Sequence, residues 1–380
     1  MIVEHVLDPR FRPLRDAFAA NFERSDEFRE LGAGLVVYEA GYKVVDLHGG
    51  YQDPARLTPW TQHTLTNIWS ASKGVMAVAI AQLVDAGQLD YAAPVATWWP
   101  EFAQAGKAAI TLDQVMSHRA GLNGFAAPTQ PADLFEWELM VRRLAEQAPL
   151  WPPGSTASYH GMTYGYLTGE LLRRVTGLMP RDYIDRHIAQ PLQADFFLGV
   201  PPQRTDDVAE IVPPQDDLHP FTLNAIAAGP TLNPTPDAAA ANLAAWRQAQ
   251  IPAVNIHASA DGLARLYAAL ANAGHLGSTR ILSEAALDAM TRARGLPHDE
   301  MLGERQWAAG VALNRGGLYG HNAGAFGHSG WGGSFGFADP ATGRGVAYIV
   351  NRMGSALNGD PRARQIAQLA TEPPRAGKHC

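Results

Sequence analysis

Cysteine is almost absent from this 380-residue chain: its one example, Cys380, is the last residue. A lone thiol excludes a disulfide framework and a thiolate metal site, so the fold must rest on its core. Lysine is nearly as scarce, with Lys43, Lys73, Lys107 and Lys378 the four among 30 basic residues. There is no long basic run and the formal net charge is −7, so neither nucleic acid nor an anionic membrane is the expected partner. No apolar run approaches membrane-spanning length. Residues Met1 to Arg10 lack a basic stretch followed by an apolar one, and the expected location is cytoplasmic. The histidines His118, His160, His257, His321 and His328 are scattered, with no H-E-x-x-H among them. The glycines near 327 to 333 are not followed by a helix and lysine, so neither a metal nor a nucleotide cofactor is expected.

Apolar residues make up 46% of the chain and charged ones 18%, the balance of an ordinary globular protein. At this length two lobes, or one domain with a large insertion, are expected. A small molecule is the partner that fits this charge, and composition leaves the oligomeric state open.

Ser70-Ala71-Ser72-Lys73 carries the most chemistry. With 12 serines and four lysines, S-x-x-K would occur by accident about 0.13 times in a chain of this length. Val75, Val78, Ala79, Gln82 and Leu83 continue at helical spacing and Gly87 supplies a stop, which puts Ser70 at the start of a largely apolar helix. Residues three apart share a helix face, so the Lys73 amine can reach the Ser70 hydroxyl. A free lysine titrates near ~10.4, so service as a base demands burial and the positive helix terminus to lower that value.

Around this helix the chain divides by period. An amphipathic stretch, Leu14 to Phe22, precedes two strand-like runs, Gly34–Tyr38 and Lys43–Leu47, that read as a hairpin about Glu39-Ala40-Gly41. Helical patterns then cover Thr111–Met116, Asp133–Glu146, Tyr164–Val175, Ala258–Ala273 and Ser283–Thr291. Pro201 to Pro252 is too rich in Pro, Asp and Ala for packed helix and is a candidate pocket wall or lid. Strand patterns return over Trp307–Leu313, Gly324–His328, Gly333–Ala338 and Gly345–Asn351, before a closing helix at Pro361–Leu369. The expected fold is α+β: residues 1–85 and 301–380 form a discontinuous domain around an antiparallel sheet, residues 86–300 an inserted helical lobe, with the site between them.

Two further segments belong with Ser70. Pro152-Pro153-Gly154-Ser155-Thr156-Ala157-Ser158-Tyr159-His160-Gly161 sets Tyr159 on a loop before a helix. Gly327-His328-Ser329-Gly330-Trp331-Gly332-Gly333 reads as a small-residue strand edge whose backbone N–H groups can face a substrate. Gly332-Gly333-Ser334-Phe335-Gly336 also matches G-x-S-x-G, but a strand rather than a helix follows, so Ser334 reads as a sheet residue.

In this order, together with Ser117-His118-Arg119-Ala120-Gly121-Leu122, these segments resemble the serine β-lactamase and penicillin-binding-protein superfamily, and within it the class C-like carboxylesterases known as family VIII esterases. The resemblance spans nearly the whole chain and implies a β-lactamase/transpeptidase-like fold. It implies Ser70 as acylated nucleophile, Lys73 as acceptor of its proton, and Tyr159 as the tyrosine of a Y-x-N motif that shares the proton work. It also implies an oxyanion hole from the backbone N–H groups of Ser70 and Trp331. Substrate contacts are expected from His328, Ser329, Gly330, Trp331, Trp151 and Gly161.

Two positions depart from that pattern. His328-Ser329-Gly330 stands where the family has K-T-G, and a neutral imidazole anchors an anion poorly. Gly161 replaces the asparagine of Y-x-N, removing an amide that would orient an acylamino group. The expected activity is therefore hydrolysis of small neutral esters, with short acyl or aryl groups, through an acyl-Ser70 intermediate. The alternatives are a β-lactamase, D-amino-acid peptidase or amidase, an acyltransferase using the same site, or a non-catalytic sensor of acyl ligands.

Overall fold

The computed structural model describes residues 2–215, 233–356 and 359–372. Cys380 and the 216–232 part of the irregular segment lie outside them. A seven-stranded antiparallel sheet runs in the spatial order Ile2–Leu7, Tyr42–Gly50, Gly32–Glu39, Arg344–Val350, Phe335–Asp339, Phe326–Ser329, Ala312–Leu313. Chain ends thus meet at its centre, where Leu35 faces Tyr348 and Val37 faces Val346. The hairpin closes through Ala40 and Gly41, both at positive φ (49° and 82°), the two-residue turn whose twist matches paired strands.

Alternation along the central strands sends side chains to two buried faces. Leu35, Val37, Phe335, Phe337, Val346 and Tyr348 pack with Leu14, Phe18 and Ile366, from the helices Arg12–Phe22 and Pro361–Thr371. Val36, Ala338, Ala347 and Ile349 face the opposite way, toward the helix Ala260–Ala271. That helix falls within the 86–300 stretch, yet it lies directly against the sheet.

The helix Ser72–Asp85 is buried on nearly every side, as an apolar sequence without a polar stripe requires. It packs against Thr163–Thr176, Glu284–Thr291 and the strand Phe326–Ser329. This brings the serine segment to the sheet edge formed by His328 and Ser329.

Three local details differ from the sequence reading. Ile2–Leu7 is an edge strand where no element was expected. Ile256–Ala258 is the middle strand of a small sheet between Thr66–Asn67 and Phe196–Leu198, and the following helix begins at Ala260 with Ser259 capping Gly262 N–H at 3.0 Å. Of the expected Trp307–Leu313 strand only Ala312–Leu313 joins the sheet, because Ala308 and Val311 close a turn through Gly310 at φ 79° that folds Trp307 back onto Ala312. Among the described residues no helix is long and apolar enough to cross a membrane.

Candidate active site

Ser70 lies in a single 3-10 turn, Trp69–Ala71, that leads into the Ser72–Asp85 helix. Trp69 just before it holds φ 48°, a left-handed conformation that costs a non-glycine residue about 1–3 kcal/mol and is tolerated where surrounding structure over-determines it. The surroundings here are dense: the Trp69 ring meets those of Trp246 at 5.6 Å and Trp331 at 5.2 Å.

Lys73 is fully buried. Its Nζ lies 3.1 Å from Ser70 Oγ and 3.1 Å from the Ala253 carbonyl, and 4.7 Å from the centre of the Tyr159 ring. Among the described residues no carboxylate pairs with it. Desolvation without a counter-charge pushes its pKa well below the ordinary lysine range, so the amine can be neutral and basic next to the serine.

Tyr159 reaches the site from a loop fixed at several points. Its backbone N–H donates to Asp299 Oδ1 at 3.3 Å, and its ring stacks on Trp307, whose indole donates to Asp299 Oδ2 at 2.9 Å. Behind it the His118 ring packs at 4.9 Å, with His118 Nδ1 accepting from the His160 N–H at 3.1 Å. The Tyr159 hydroxyl is buried without a well-formed hydrogen bond. Burial raises its pKa, opposed first by the neighbouring Ser70 hydroxyl and also by the positive charge of Arg305.

The strand edge completes the ring of groups. His328 Nδ1 donates to the Ser329 carbonyl at 2.9 Å, leaving Nε2 as a buried acceptor. Burial lowers its pKa to about 3, so at neutral pH it brings no charge to the site. Gly330 is needed for contact between the strand edge and the serine turn, since a Cβ there would fall 2.2 Å from the Ile68 carbonyl oxygen. Beyond it, Gly332 and Gly333 take φ of 92° and 117° and turn the chain so that Trp331 faces Ser70 across the same cavity. The Gly332 carbonyl is fixed by Arg362 Nη2 at 2.8 Å and by the Gly354 N–H at 3.1 Å.

Ser70, Tyr159, His328, Ser329 and Trp331 therefore line one cavity of about 40 Å³, and the Lys73 amine lies within hydrogen-bond reach of its Ser70 hydroxyl. Gly330 stands behind this wall. Gly161 is part-buried two residues past Tyr159, and a Cβ on it would meet nothing within 4 Å. Trp151 is elsewhere: it is buried, donates to the Thr156 carbonyl at 3.3 Å and packs edge-on to His160. Ser334, expected in the sheet, lies just before the strand Phe335–Asp339, and its hydroxyl accepts from the Val350 N–H at 3.1 Å. Arg305, Trp307 and Tyr319 also line the cavity, with Tyr319 Oη 3.5 Å from Ser329 Oγ. Sequence reasoning did not single these out, nor Asp299, because no local motif marks them.

Residues 18–371 match the family model described as Beta-lactamase. The chain is 38% identical over 374 residues to the esterase/beta-lactamase LipL of Mycobacterium tuberculosis, covering 92% of this chain and 83% of that protein. Two crystal structures superpose closely. One is of a penicillin-binding protein homologue from Caulobacter crescentus, at 42% identity and a TM-score of 0.91, covering 97% of this chain and 99% of that one. The other is of a family VIII carboxylesterase, at 39% identity and a TM-score of 0.91, with the same coverages.

Proposed function

The chain belongs to the beta-lactamase family, and from that membership we propose that it is a serine carboxylesterase acting on small neutral esters through an acyl-Ser70 intermediate. The observation that carries the reading is a buried lysine without a carboxylate, 3.1 Å from a serine hydroxyl. Such an amine can take the proton as Ser70 Oγ forms its bond to the ester carbonyl carbon. Negative charge then gathers on the carbonyl oxygen. Trp331 N–H has no acceptor among the described residues, and Ser70 N–H lies in the first turn of its helix, where donors lack intrahelical acceptors. Each such donor is worth about 2.7–4 kcal/mol to the transition state.

Collapse of the tetrahedral adduct breaks the bond to the alkoxy oxygen, which leaves with a proton passed through Tyr159 and Lys73. The two groups are coupled by contact and act as a unit. Water then repeats the sequence at the acyl-serine, giving the carboxylic acid and restoring Ser70. The neutral His328 and the bare Gly161 withdraw the anchors an anionic acylamino substrate would use, which favours neutral esters.

LipL carries both names, esterase and beta-lactamase, and this supports a second reading in which amides, β-lactams included, are also opened. One panel tests both: p-nitrophenyl acetate and butyrate, nitrocefin and a D-alanyl peptide, with and without an added alcohol, on wild type and Ser70→Ala. Ester turnover with a burst, lost in Ser70→Ala, is the expected result. Ester turnover that survives Ser70→Ala, or stoichiometric capture without turnover, overturns it. Nitrocefin turnover would establish the second reading, and faster product formation with alcohol an acyl-transfer activity.

A further inference from the structure

A second cavity, of about 270 Å³, is lined in part by Trp69, the residue before Ser70. Its walls are almost wholly apolar, with Leu134, Phe135, Met162, Trp69, Ala240 and Trp246 among them. The two cavities are one aromatic contact apart: Trp69 lines the larger, Trp331 the smaller, and their rings meet edge to face at 5.2 Å.

The smaller cavity, about 40 Å³, has room for the reacting atoms and little else. It also contains Tyr159, the group assigned to the departing alkoxide, so the alcohol portion of an ester belongs on that side. The acyl portion must then project the other way. Two residues of the larger cavity adjoin the site along the chain: Trp69 directly precedes Ser70, and Met162 directly follows Gly161, where a Cβ would meet nothing within 4 Å. An apolar cavity of about 150 Å³ is enough to bind benzene, so this one can take an aryl ring or an alkyl chain of several carbons. Among the described residues the only charged one in its wall is Asp237, which repels an acyl group bearing a carboxylate.

We propose that the larger cavity is the acyl pocket, that its occupant is a neutral aryl or medium-length alkyl group, and that Trp69 and Ala240 set the size it accepts. This rests on the acyl-Ser70 reading. Each buried methylene is worth up to about 4-fold in kcat/KM, so p-nitrophenyl hexanoate is turned over better than the acetate.

Ala240→Phe adds a ring at a residue that lines the cavity and is not one of the reacting groups; Ala132→Phe does the same at another lining residue should the first variant not fold. Expected is a fall of at least about 10-fold in the kcat/KM ratios of hexanoate to acetate and of benzoate to acetate. A hexanoate-to-acetate ratio unchanged in the folded variants overturns the proposal. A binding readout separates this outcome from failure of the esterase reading. Ser70→Ala protein titrated with methyl hexanoate should show a change in tryptophan emission from Trp69 and Trp246 that disappears when Ala240→Phe is added. If that signal persists in the double variant, the cavity is not the site, whatever the enzyme turns over.

Discussion

Glu30 offers a quantitative check on the scaffold behind the Trp331 turn. Its side chain is completely buried, accepts a hydrogen bond from Tyr348 Oη, and lies 3.2 Å from Arg362 Nη1. Asp360 holds the same guanidinium at 2.7 Å, so two carboxylates share one cation in a dry space. Burial pushes the Glu30 carboxyl from 4.5 up to about 7. Between those values the folded protein keeps a proton that the unfolded chain releases. The stabilisation is therefore complete below 4.5 and is lost as pH rises through about 7. At 1.36 kcal/mol per decade this amounts to about 3 kcal/mol, a large share of a typical folding free energy of about 5–15 kcal/mol. Glu30→Gln keeps an acceptor for Tyr348 and removes the titration. Urea unfolding of both proteins between about pH 5 and about pH 8 should show the wild type losing stability relative to the variant as pH rises. Groups elsewhere titrate alike in both and cancel. Identical pH dependence in the two proteins would refute the assignment.

Lys73→Met should lower kcat by about 10²–10⁴-fold with little change in KM, since it removes proton transfer rather than binding. Because the neutral amine is the working form and its pKa is depressed, wild-type kcat/KM on a neutral ester should rise with pH through that lowered value and then level; a profile that falls instead would assign the base elsewhere. Gly330→Ala must displace either the Ile68 carbonyl or the strand edge, and should abolish turnover while far-UV circular dichroism stays native. Arg362→Met leaves Glu30 and Asp360 without their partner and should cost about 3–5 kcal/mol by urea titration. Arg362→Lys, which retains charge but not the contact with the Gly332 carbonyl, should recover stability more fully than kcat.

Whatever depends on neighbours along the chain was legible in the sequence. Ser70 and Lys73 are one helical turn apart, and their contact follows from that spacing alone. The hairpin was readable from Ala40-Gly41, and the late strands from their period and glycines. Ile2–Leu7 escaped notice because an edge strand with mostly exposed or half-buried residues has little alternation to show. The helical reading from Ala258 overlaps only the last residue of the strand Ile256–Ala258, which went unread because a short apolar run has no period of its own; two strand partners distant in sequence decide it. Asp299, Arg305, Trp307 and Tyr319 join the site only through tertiary packing, which no spacing encodes. Trp151 was expected in the pocket on aromatic character alone, and its indole instead secures the loop that carries Tyr159.

The approach of Gly330 to Ile68 joins stretches of chain more than two hundred residues apart. A ribosome that has delivered Ser70 and Lys73, the proposed nucleophile and its base, has therefore produced nothing reactive. Competence arrives only when the last strands dock beside the first, so an interrupted translation product or a C-terminal deletion carries a silent serine, and hydrolytic output reports on completion of the whole molecule.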